Sequence, residues 1–321
     1  MKSGDGSSAS PYIADTPKDI TISDLKVKNK MYDGNNEAEI DISSIELNDV
    51  DNGDDVALDF SNATILFDDK NVGTGKTVTI SGIALIGANA NCYKLSPVYT
   101  TTADITAKSL VPTAKANDKI YNGSDNAVVT ISLEGIINSE KVNATGTAAF
   151  EDGNVGTSKT VNVTGITLNG VDMDNYTLSS TTASTTATIT PKATTITMAN
   201  ALYEYDGIEK NLIATNTDGV EMTYTNNGKT DAGTYSVVAT INNPNYSGSQ
   251  TATLTITKRF LSISGLSAVS KTYDGTTTAT LTGGTLSGVV DGDDVSATMP
   301  TNGTFNSKNV GSKIGVRFPD V

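Results

Sequence analysis

The sequence predicts an all-β protein made of tandem, small antiparallel β-sandwich modules, arranged end to end. Three observations predict this class. First, threonine (49) and asparagine (29) make up about a quarter of the 321 residues, while aromatic residues are only 6% and tryptophan is absent. This composition is typical of strands and turns with little aromatic core. Second, apolar residues alternate over short segments, and no 11-residue window shows a helical period. Third, one turn motif recurs along the chain.

The recurring motif is Tyr-Asp/Asn-Gly, which appears four times at spacings of 89, 84 and 68 residues. Its copies are Tyr32-Asp33-Gly34, Tyr121-Asn122-Gly123, Tyr205-Asp206-Gly207 and Tyr273-Asp274-Gly275. In three units a Phe precedes an Asn-Val-Gly turn by four residues. The segments Phe67–Leu85 and Phe150–Leu168 are identical at 12 of 19 positions. These two units therefore share one ancestor.

The units also close alike, with a Tyr-bearing segment followed by an alternating strand that ends in Lys. Lys108, Lys192 and Lys258 end these strands and mark the module boundaries. The predicted division is a linker or tag over 1–18, then modules over 19–108, 109–192, 193–258 and 259–321. We expect the chain to be an excerpt from a longer protein.

The fourth unit contains neither the Tyr-bearing segment nor the closing strand. We therefore expect a sheet edge there that is poorly ordered or pairs with another molecule.

Strand patterning is clearest in the second unit. Val161 and Val163 alternate with polar residues, and the phase slips before Ile166. Gly165 stands at the slip, where a β-bulge would return the apolar side chains to the inward face. Short strands separated by Gly, Asn and Asp in this way predict sandwiches or half-open barrels.

Composition excludes several functional classes. Asp and Glu (36) outnumber Lys and Arg (22), and the net charge of −14 argues against nucleic acid as a partner. Histidine is absent and Cys92 is the single cysteine, which removes His-based acid–base chemistry and His/Cys zinc sites. The sequence contains no run of 18 consecutive apolar residues, so it predicts no membrane-spanning helix. We expect that the protein is not an enzyme and that it binds no cofactor. A carboxylate pair such as Asp54 and Asp55 could serve a glycosidase only across a cleft, which thin sandwiches do not offer.

Acidic clusters are the weak candidates for calcium sites. Calcium takes six to eight oxygen ligands, and acidic loops between modules can bind it and stiffen a stalk. A solvated acidic turn is the alternative interpretation, and the second unit has Asn138-Ser139-Glu140 at the same place. The candidate residues are Asp49, Asp51, Asp54, Asp55, Asp291, Asp293 and Asp294.

The Tyr-Asp/Asn-Gly motif has two interpretations. Its tyrosines could present aromatic faces to a polysaccharide. Alternatively, Asp-Gly forms a turn with positive φ while the Tyr ring packs inward and its hydroxyl binds backbone, as in a tyrosine corner. Asn122 favours the structural interpretation, because a turn accepts Asn as readily as Asp whereas a catalytic carboxylate would not tolerate this change.

Three lysines stand two residues before the repeat tyrosine: Lys30, Lys119 and Lys271. A buried lysine at such a place can condense with Asn beside a carboxylate to form an isopeptide crosslink. The commoner alternative is an edge-strand lysine that discourages sheet-to-sheet pairing.

Together these motifs resemble a known family. The Lys271-Thr272-Tyr273-Asp274-Gly275 opening, the Asn-Val-Gly turn, Asn175-Tyr176 and the closing Ile-Thr-x-Lys strand are similar to YDG-type repeats of bacterial cell-surface proteins. The third unit, with Asp231-Ala232-Gly233 and Asn245-Tyr246, resembles the related MBG domain, a mostly bacterial Ig-like domain. The resemblance covers about residues 19 to 321. It implies tandem β-sandwiches in secreted or surface-attached, adhesin-like proteins, with no catalytic residues.

We therefore expect a non-catalytic stalk or spacer on the bacterial cell surface, whose partners are its neighbouring repeats. The alternative is an adhesive module that binds an extracellular glycan or host protein through loops at the sandwich ends. The long segments Asp49–Asp55 and Asn211–Asn227 are the candidate loops for that role.

Overall fold

A computed structural model describes residues 16–319 of the chain. These residues form β-strands and three short 3₁₀ turns, without an α-helix among them, so the all-β prediction is confirmed. The chain divides into two compact units, one comprising residues up to Lys119 with Gly123–Ile189, the other Ile120–Asn122 with Thr190 onward. Residues 1–15 of the predicted linker over 1–18 lie outside the described residues. Lys18, the last residue of that linker, already belongs to a strand.

The first module lies in the first unit. Its strands are β1 (Lys18–Asp19), β2 (Thr21–Ser23), β3 (Lys26–Val27), β4 (Lys30–Met31), β5 (Ile40–Asp41), β6 (Glu46–Asn48), β7 (Ala57–Asp59), β8 (Thr64–Phe67), β9 (Gly73–Ser81), β10 (Ala84–Ile86), β11 (Tyr93–Lys94) and β12 (Val98–Thr106), with 3₁₀ turns at Ile42–Ser44 and Ala90–Cys92. The main sheet has the order β4-β12-β9-β8, and the other strands form two-stranded pairs. Alternation places Val78 and Ile80 of β9 and Ile105 of β12 in the buried core of the unit.

The second module belongs to the same unit. Its strands are β13 (Lys108–Ala116), β14 (Lys119–Ile120), β15 (Val129–Glu134), β16 (Asn143–Phe150), β17 (Gly156–Asn169), β18 (Tyr176–Leu178) and β19 (Ala183–Thr190), with a 3₁₀ turn at Met173–Asn175. β16, β17 and β19 are neighbours in one sheet, and β15, β13 and β18 in another. The register of β16 against β17 shifts opposite Gly165, whose φ is +63°. Val161, Val163 and Ile166 are all buried, so the predicted bulge is confirmed.

The second unit contains the third and fourth modules. The strands of the third are β20 (Lys192–Ala193), β21 (Ile196–Thr197), β22 (Ala201–Glu204), β23 (Thr215–Asn216), β24 (Met222–Thr225), β25 (Gly233–Ile241), β26 (Tyr246–Ser247) and β27 (Ser249–Thr257). Those of the fourth are β28 (Ser262–Ala268), β29 (Thr278–Ser287), β30 (Asn302–Phe305) and β31 (Val316–Arg317). The main sheets have the orders β22-β27-β25-β24 and β28-β29-β30-β31.

Not every strand pairing is antiparallel. The opening strand of a module lies parallel to its Tyr-bearing segment, as β1 to β11, β13 to β18 and β20 to β26. The strand before the repeat tyrosine lies parallel to the closing strand, as β4 to β12 and β22 to β27. These partners are separated by more than 50 residues of chain, which allows the crossover that parallel strands require. The local alternation pattern carries no information about such distant pairings.

The core of the first unit runs through both of its modules. One continuous cluster contains Phe67 and Val78 of the first module and Leu110 and Val142 of the second. Tyr32 is part of this cluster, with 1% of its surface exposed. The two modules therefore share one hydrophobic core instead of being joined by a flexible linker.

Candidate functional site: the seams between modules

The Tyr-Asp/Asn-Gly motif forms a tight turn in all four modules. The glycines Gly34, Gly123, Gly207 and Gly275 have φ between +75° and +83°, a region that L-residues with a side chain rarely adopt. In the first module the Asp33 carboxylate accepts a hydrogen bond from the Asn35 N–H at 3.2 Å. Burial acts to raise the Asp33 pKa, but hydrogen bonds from Lys30 and from Asn35 outweigh it and leave the pKa lowered.

The lysine two residues before the tyrosine spans this turn. Lys30 Nζ donates to the carbonyl oxygens of Asn35 and Glu37 at 3.0 and 2.8 Å, and Lys119 Nζ donates to those of Ser124 and Asn126. Each lysine also lies over the ring of the repeat phenylalanine. The distances to the ring centroid are 5.9 Å for Lys30–Phe67, 5.2 Å for Lys119–Phe150 and 5.8 Å for Lys271–Phe305. The lysine thus fastens the turn to the sheet, and the isopeptide crosslink stays an untested alternative.

The repeat tyrosine of the first module reaches into the second module. The Tyr32 hydroxyl donates to Glu140 Oε1 at 2.6 Å, and the Tyr176 hydroxyl donates to Glu140 Oε2 at 2.7 Å. The two rings meet edge to face, with centroids 5.4 Å apart. Lys70 Nζ lies 2.6 Å from Glu140 Oε1 and 5.8 Å from the centre of the Tyr32 ring. We call these four residues, together with Asn175, the first seam.

Two more contacts complete the first seam. The Val72 N–H donates to Asn175 Oδ1 at 3.0 Å, and Asn175 Nδ2 donates to Asn71 Oδ1 at 3.3 Å. Gly34 lies against Ile137, since a Cβ at residue 34 would be 2.8 Å from Ile137 Cγ2. The turn glycine is therefore needed both for its positive φ and for the close approach of the second module.

The electrostatics of the first seam favour a charged glutamate between neutral tyrosines. Burial acts to raise the Glu140 pKa, but hydrogen bonds from Lys70, Tyr32 and Tyr176 lower it below its ordinary value. Burial, followed by the hydrogen bond to Glu140, raises the pKa of Tyr176 to about 12 and that of Tyr32 above its ordinary value. The hydrogen bond to Glu140 raises the pKa of Lys70 as well. At neutral pH the seam is a fully satisfied polar network beside a hydrophobic core.

The first seam differs from the tyrosine corner expected for the repeat tyrosine. Its hydroxyl binds the carboxylate of the next module, not backbone. The closing tyrosines bind backbone instead, because Tyr176 accepts a hydrogen bond from the Ile137 N–H at 3.1 Å and Tyr93 accepts one from the Asp51 N–H at 3.0 Å. The hydroxyl of each closing tyrosine therefore binds the acidic loop of its own module.

The second unit contains a related contact, which we call the second-unit seam. The Tyr205 hydroxyl donates to Asp293 Oδ1 at 2.8 Å, and this hydrogen bond raises the Tyr205 pKa. Gly207 approaches Val290, where an added Cβ would lie 2.9 Å from Val290 Cγ1. A cavity of about 300 Å³ borders Tyr205 and Asp293.

Another tyrosine pair lies in the second unit. The rings of Tyr121 and Tyr246 are 5.4 Å apart and nearly perpendicular. Lys192 Nζ pairs with Asp218 and lies 5.9 Å from the Tyr246 ring centre. A repeat tyrosine, a closing tyrosine and an acid–lysine pair thus occur here as in the first seam.

The acidic residues proposed as calcium ligands have separate protein partners. Asp49 accepts from Thr21 Oγ1, Asp51 pairs with Lys18, and Asp54 accepts the Tyr93 hydroxyl. Asp55 accepts the Ala88 N–H, and Asp293 accepts the Tyr205 hydroxyl. Within residues 16–319 no three acidic side chains come together in an arrangement that could hold a metal ion. Calcium binding by these residues, including Asp291 and Asp294, stays an untested prediction.

Sequence reasoning missed the residues that receive the tyrosines. Asp54, Glu140 and Asp293 occupy the same position in the acidic loops of three modules, each directly before an Asp or Lys and a Val. This alignment was the available signal, but the acidic cluster drew attention to metal binding. Lys70 and Asn175 had no repeated counterpart that would have identified them, since Gly153 and Cys92 stand at the matching places.

The segment Asn211–Asn227, a candidate adhesive loop, is held within the third module. Leu212 and Ala214 are buried in its core. The Leu212 backbone makes two hydrogen bonds with the Asn227 side chain, and the Ala214 N–H donates to the Tyr224 hydroxyl. This segment is therefore a structural part of the module.

Comparison with protein families identifies both repeat types. A model of the YDG domain matches residues 16–103, 106–184 and 257–321, and a model of the MBG domain matches residues 193–260. The resemblance to YDG and MBG domains is thus confirmed. No curated protein matches this chain significantly.

Several solved structures match this chain at low similarity. The I9–I11 tandem of titin is 12% identical, with 74% of this chain and 99% of that chain covered and a TM-score of 0.23. Drosophila N-cadherin EC1-4 is 10% identical, with 76% of each chain covered and a TM-score of 0.23. A SusE-like surface located polysaccharide binding protein of Bacteroides thetaiotaomicron is 11% identical, with 75% and 54% covered and a TM-score of 0.19.

Proposed function

Since this chain belongs to the YDG domain family, we propose that it is a non-catalytic spacer in a secreted or surface-anchored, adhesin-like protein. The observation that carries the proposal is the first seam. There Tyr32 is 1% exposed and shares Glu140 with Tyr176 of the next module. A contact of this kind restrains the angle between neighbouring modules, which is the mechanical property that a spacer needs.

The position of the contact along the chain supports the same proposal. Thr106, the last residue of β12, is followed after one residue by Lys108, the first of β13. No Gly/Ser-rich linker of the flexible kind separates the two modules. Burial of one continuous core across the junction then opposes bending.

We place the segment outside the cell, on a bacterial surface. The YDG and MBG domains matched along the chain support that location. Within the described residues, no helix is sufficiently long and apolar to cross a membrane.

Direct adhesion is the second candidate function, in which sandwich-end loops bind a glycan or host protein. In the loops assigned to it, Asp49–Asp55 and Asn211–Asn227, the side chains of Asp49, Asp55 and Asn227 make hydrogen bonds inside their own modules. The spacer is therefore the function that the geometry supports better.

The test measures the stiffness of the junction. Spin labels at the exposed residues Ser61 and Thr164, in a Cys92→Ser background, report one distance across the first unit. We expect one narrow distance distribution, which Glu140→Ala broadens. Glu134→Ala is the matched control, because it removes the same charge from an exposed position of the neighbouring strand.

Either of two results would contradict the spacer. One is a broad distance distribution in the unsubstituted chain. The other is binding to a glycan or matrix-protein array that substitutions in a single loop abolish, which would favour direct adhesion.

A further inference from the structure

The first and last segments of a module lie side by side in each of the first three modules. The opening strand pairs with the Tyr-bearing segment, and the residues opposite each other are Lys18 and Tyr93, Lys108 and Tyr176, and Lys192 and Tyr246. Further along, the N–H of the repeat tyrosine donates to the carbonyl oxygen of the last threonine of the closing strand. These bonds are Tyr32 to Thr106 at 2.8 Å, Tyr121 to Thr190 at 2.8 Å, and Tyr205 to Thr257 at 2.9 Å. The start of each module is therefore held against its end at two places.

These end segments run in the same direction. In the first module Lys18 lies opposite Tyr93 and Lys30 lies opposite Ile105, and both pairs are 75 residues apart in sequence. The two places thus share one parallel register. In the third module the strand pair before the repeat turn is longer, since all four residues of β22 lie parallel to β27.

A side chain of the first segment also binds the backbone of the last. It belongs to an Asn or Asp that precedes the repeat tyrosine, and its oxygen accepts a backbone N–H of the closing strand. These hydrogen bonds are Asp104 to Asn29 at 2.7 Å, Thr188 to Asp118 at 2.6 Å, and Thr253 to Asn200 at 2.7 Å. The same bridge therefore recurs in three modules, although the residues that form it differ.

This arrangement determines how a module carries a pull on its two ends. The chain enters at the start of the first segment and leaves at the end of the last segment. In a parallel pair these two points lie at opposite ends of the pair, so tension slides one segment along the other and loads all the hydrogen bonds between them at once. In an antiparallel pair both points would lie at the same end, and the bonds would open one after another.

We propose that these modules resist tension and that the parallel pair of end segments is the element that bears the load. The inference deepens the spacer proposed above and rests on it for its use, because a spacer between a surface and a bound target transmits the force that separates them. The core supports the same role. Ile105, Ile189 and Ile256 of the closing strands are 1%, 0% and 2% exposed, so close packing resists the sliding of these strands.

The experiment applies force to the third module in two directions, within the full chain and in a Cys92→Ser background. DNA handles at Ala199→Cys and Lys258→Cys slide β22 along β27, because these exposed residues lie at opposite ends of the pair. Handles at Ile208→Cys and Lys258→Cys peel the two strands apart, because both residues follow the same end of the pair. At one loading rate we expect a rupture force about twofold higher in the sliding direction, since forced unfolding depends on the barrier to unfolding.

A substitution then tests the side-chain bridge. Asn200→Ala removes the acceptor of the Thr253 N–H, at the end of the pair remote from Tyr205. We expect a lower rupture force in the sliding direction and an unchanged one in the peeling direction, where the bonds beside Tyr205 open first. Asn211→Ala is the matched control, because this exposed Asn binds Glu209 outside the pair. It should change neither force.

Equal rupture forces in the two directions would overturn the proposal. So would an Asn200→Ala variant that weakens both directions alike, because the loss would then belong to the whole module. Neither result would contradict the spacer, which is tested by the distance distribution across the first unit. A broad distribution together with direction-dependent rupture forces would instead remove the spacer and retain the load-bearing pair.

Discussion

The first seam and the second-unit seam use the same hydrogen bond to different effect. Tyr32 donates to Glu140 at 2.6 Å and Tyr205 donates to Asp293 at 2.8 Å. Tyr32 is buried with Tyr176 packed on its ring, whereas Tyr205 borders a cavity of about 300 Å³. The comparison separates two contributions. A carboxylate in the following module accepts the hydroxyl of the repeat tyrosine in both seams, and in the first seam the ring of the closing tyrosine also packs against it.

The largest expected effect comes from removing the buried tyrosine. Tyr32→Ala should lower the free energy of unfolding of the first unit by about 3–5 kcal/mol, as for other large aromatic side chains deleted from a core. Tyr273→Ala, at a 59% exposed position of the same motif, is the control and should change stability by less than about 1 kcal/mol. Urea unfolding followed by hydrogen exchange, resolved by peptide, measures both. Equal losses would show that burial at the seam is not the source of stability.

A smaller effect is expected from closing the space at the turn. Gly34→Ala places a Cβ 2.8 Å from Ile137 and also strains a φ of +83°. Gly275→Ala meets the same strain, at φ +75°, with no atom within 4 Å. We expect Gly34→Ala to cost about 2–3 kcal/mol and Gly275→Ala about 1 kcal/mol.

The difference between the two glycine variants measures the module–module contact by itself. This difference is obtained from the urea midpoint of each unit, which is followed separately by hydrogen exchange. Similar losses at both positions would mean that Ile137 moves aside without cost.

Next in size is the loss of the asparagine bridge. Asn175→Ala leaves the part-buried Val72 N–H without its acceptor, so the first unit should lose about 1–2 kcal/mol. The exposed Asn162→Ala on β17 is the control, with a change below about 0.5 kcal/mol. Faster hydrogen exchange at Val72 is the direct readout. An unchanged rate would show that water replaces the side chain.

The smallest expected effect is the pH dependence of the stability that the first seam gives to the first unit. The pKa of Glu140 lies below its ordinary value in the folded protein, so its stabilisation is present above the ordinary pKa and is lost as pH falls through the folded pKa. The pKa of Tyr176 is raised to about 12, so its stabilisation is present below its ordinary pKa of about 10 and is lost as pH rises toward about 12.

The urea midpoint of the first unit should therefore fall below about pH 4 and above about pH 10. In Glu140→Gln the acid-dependent part should shrink, since the variant has no carboxylate to protonate at this position. An acid-dependent fall of the same size in both proteins would assign the effect to other carboxylates of this acidic chain.

Repetition and local patterning predicted much of the fold. The phase slip at Gly165 identified a bulge correctly, because inward and outward positions alternate along one strand and depend on neighbouring residues only. The positive φ of Gly34 followed from the Asp-Gly pair for the same local reason. The predicted sandwiches were antiparallel throughout, and this was incomplete because β4 and β12 pair in parallel over a long separation in sequence.

The candidate site could be predicted only in part. The sequence identified Tyr32 and its turn as structural, yet it assigned the hydroxyl to backbone within the module. Glu140 lies 108 residues further along the chain, so no local pattern links the two. The acidic residues of the other loops suggested a cation, whereas the structure uses Asp54 and Asp293 as acceptors for tyrosine hydroxyls.

The sequence by itself determined the repeat order, the β class, the turns and the strand faces, since each depends on residues close together in the chain. Only the tertiary structure decided which tyrosines are buried, because the burial of Tyr32 depends on Glu140 and Tyr176, which the next module supplies. Tyr273 stands in the same Lys-x-Tyr-Asp-Gly motif, yet its side chain is 59% exposed. The repeat motif therefore specifies the turn, whereas the burial of its tyrosine depends on the module that packs against it.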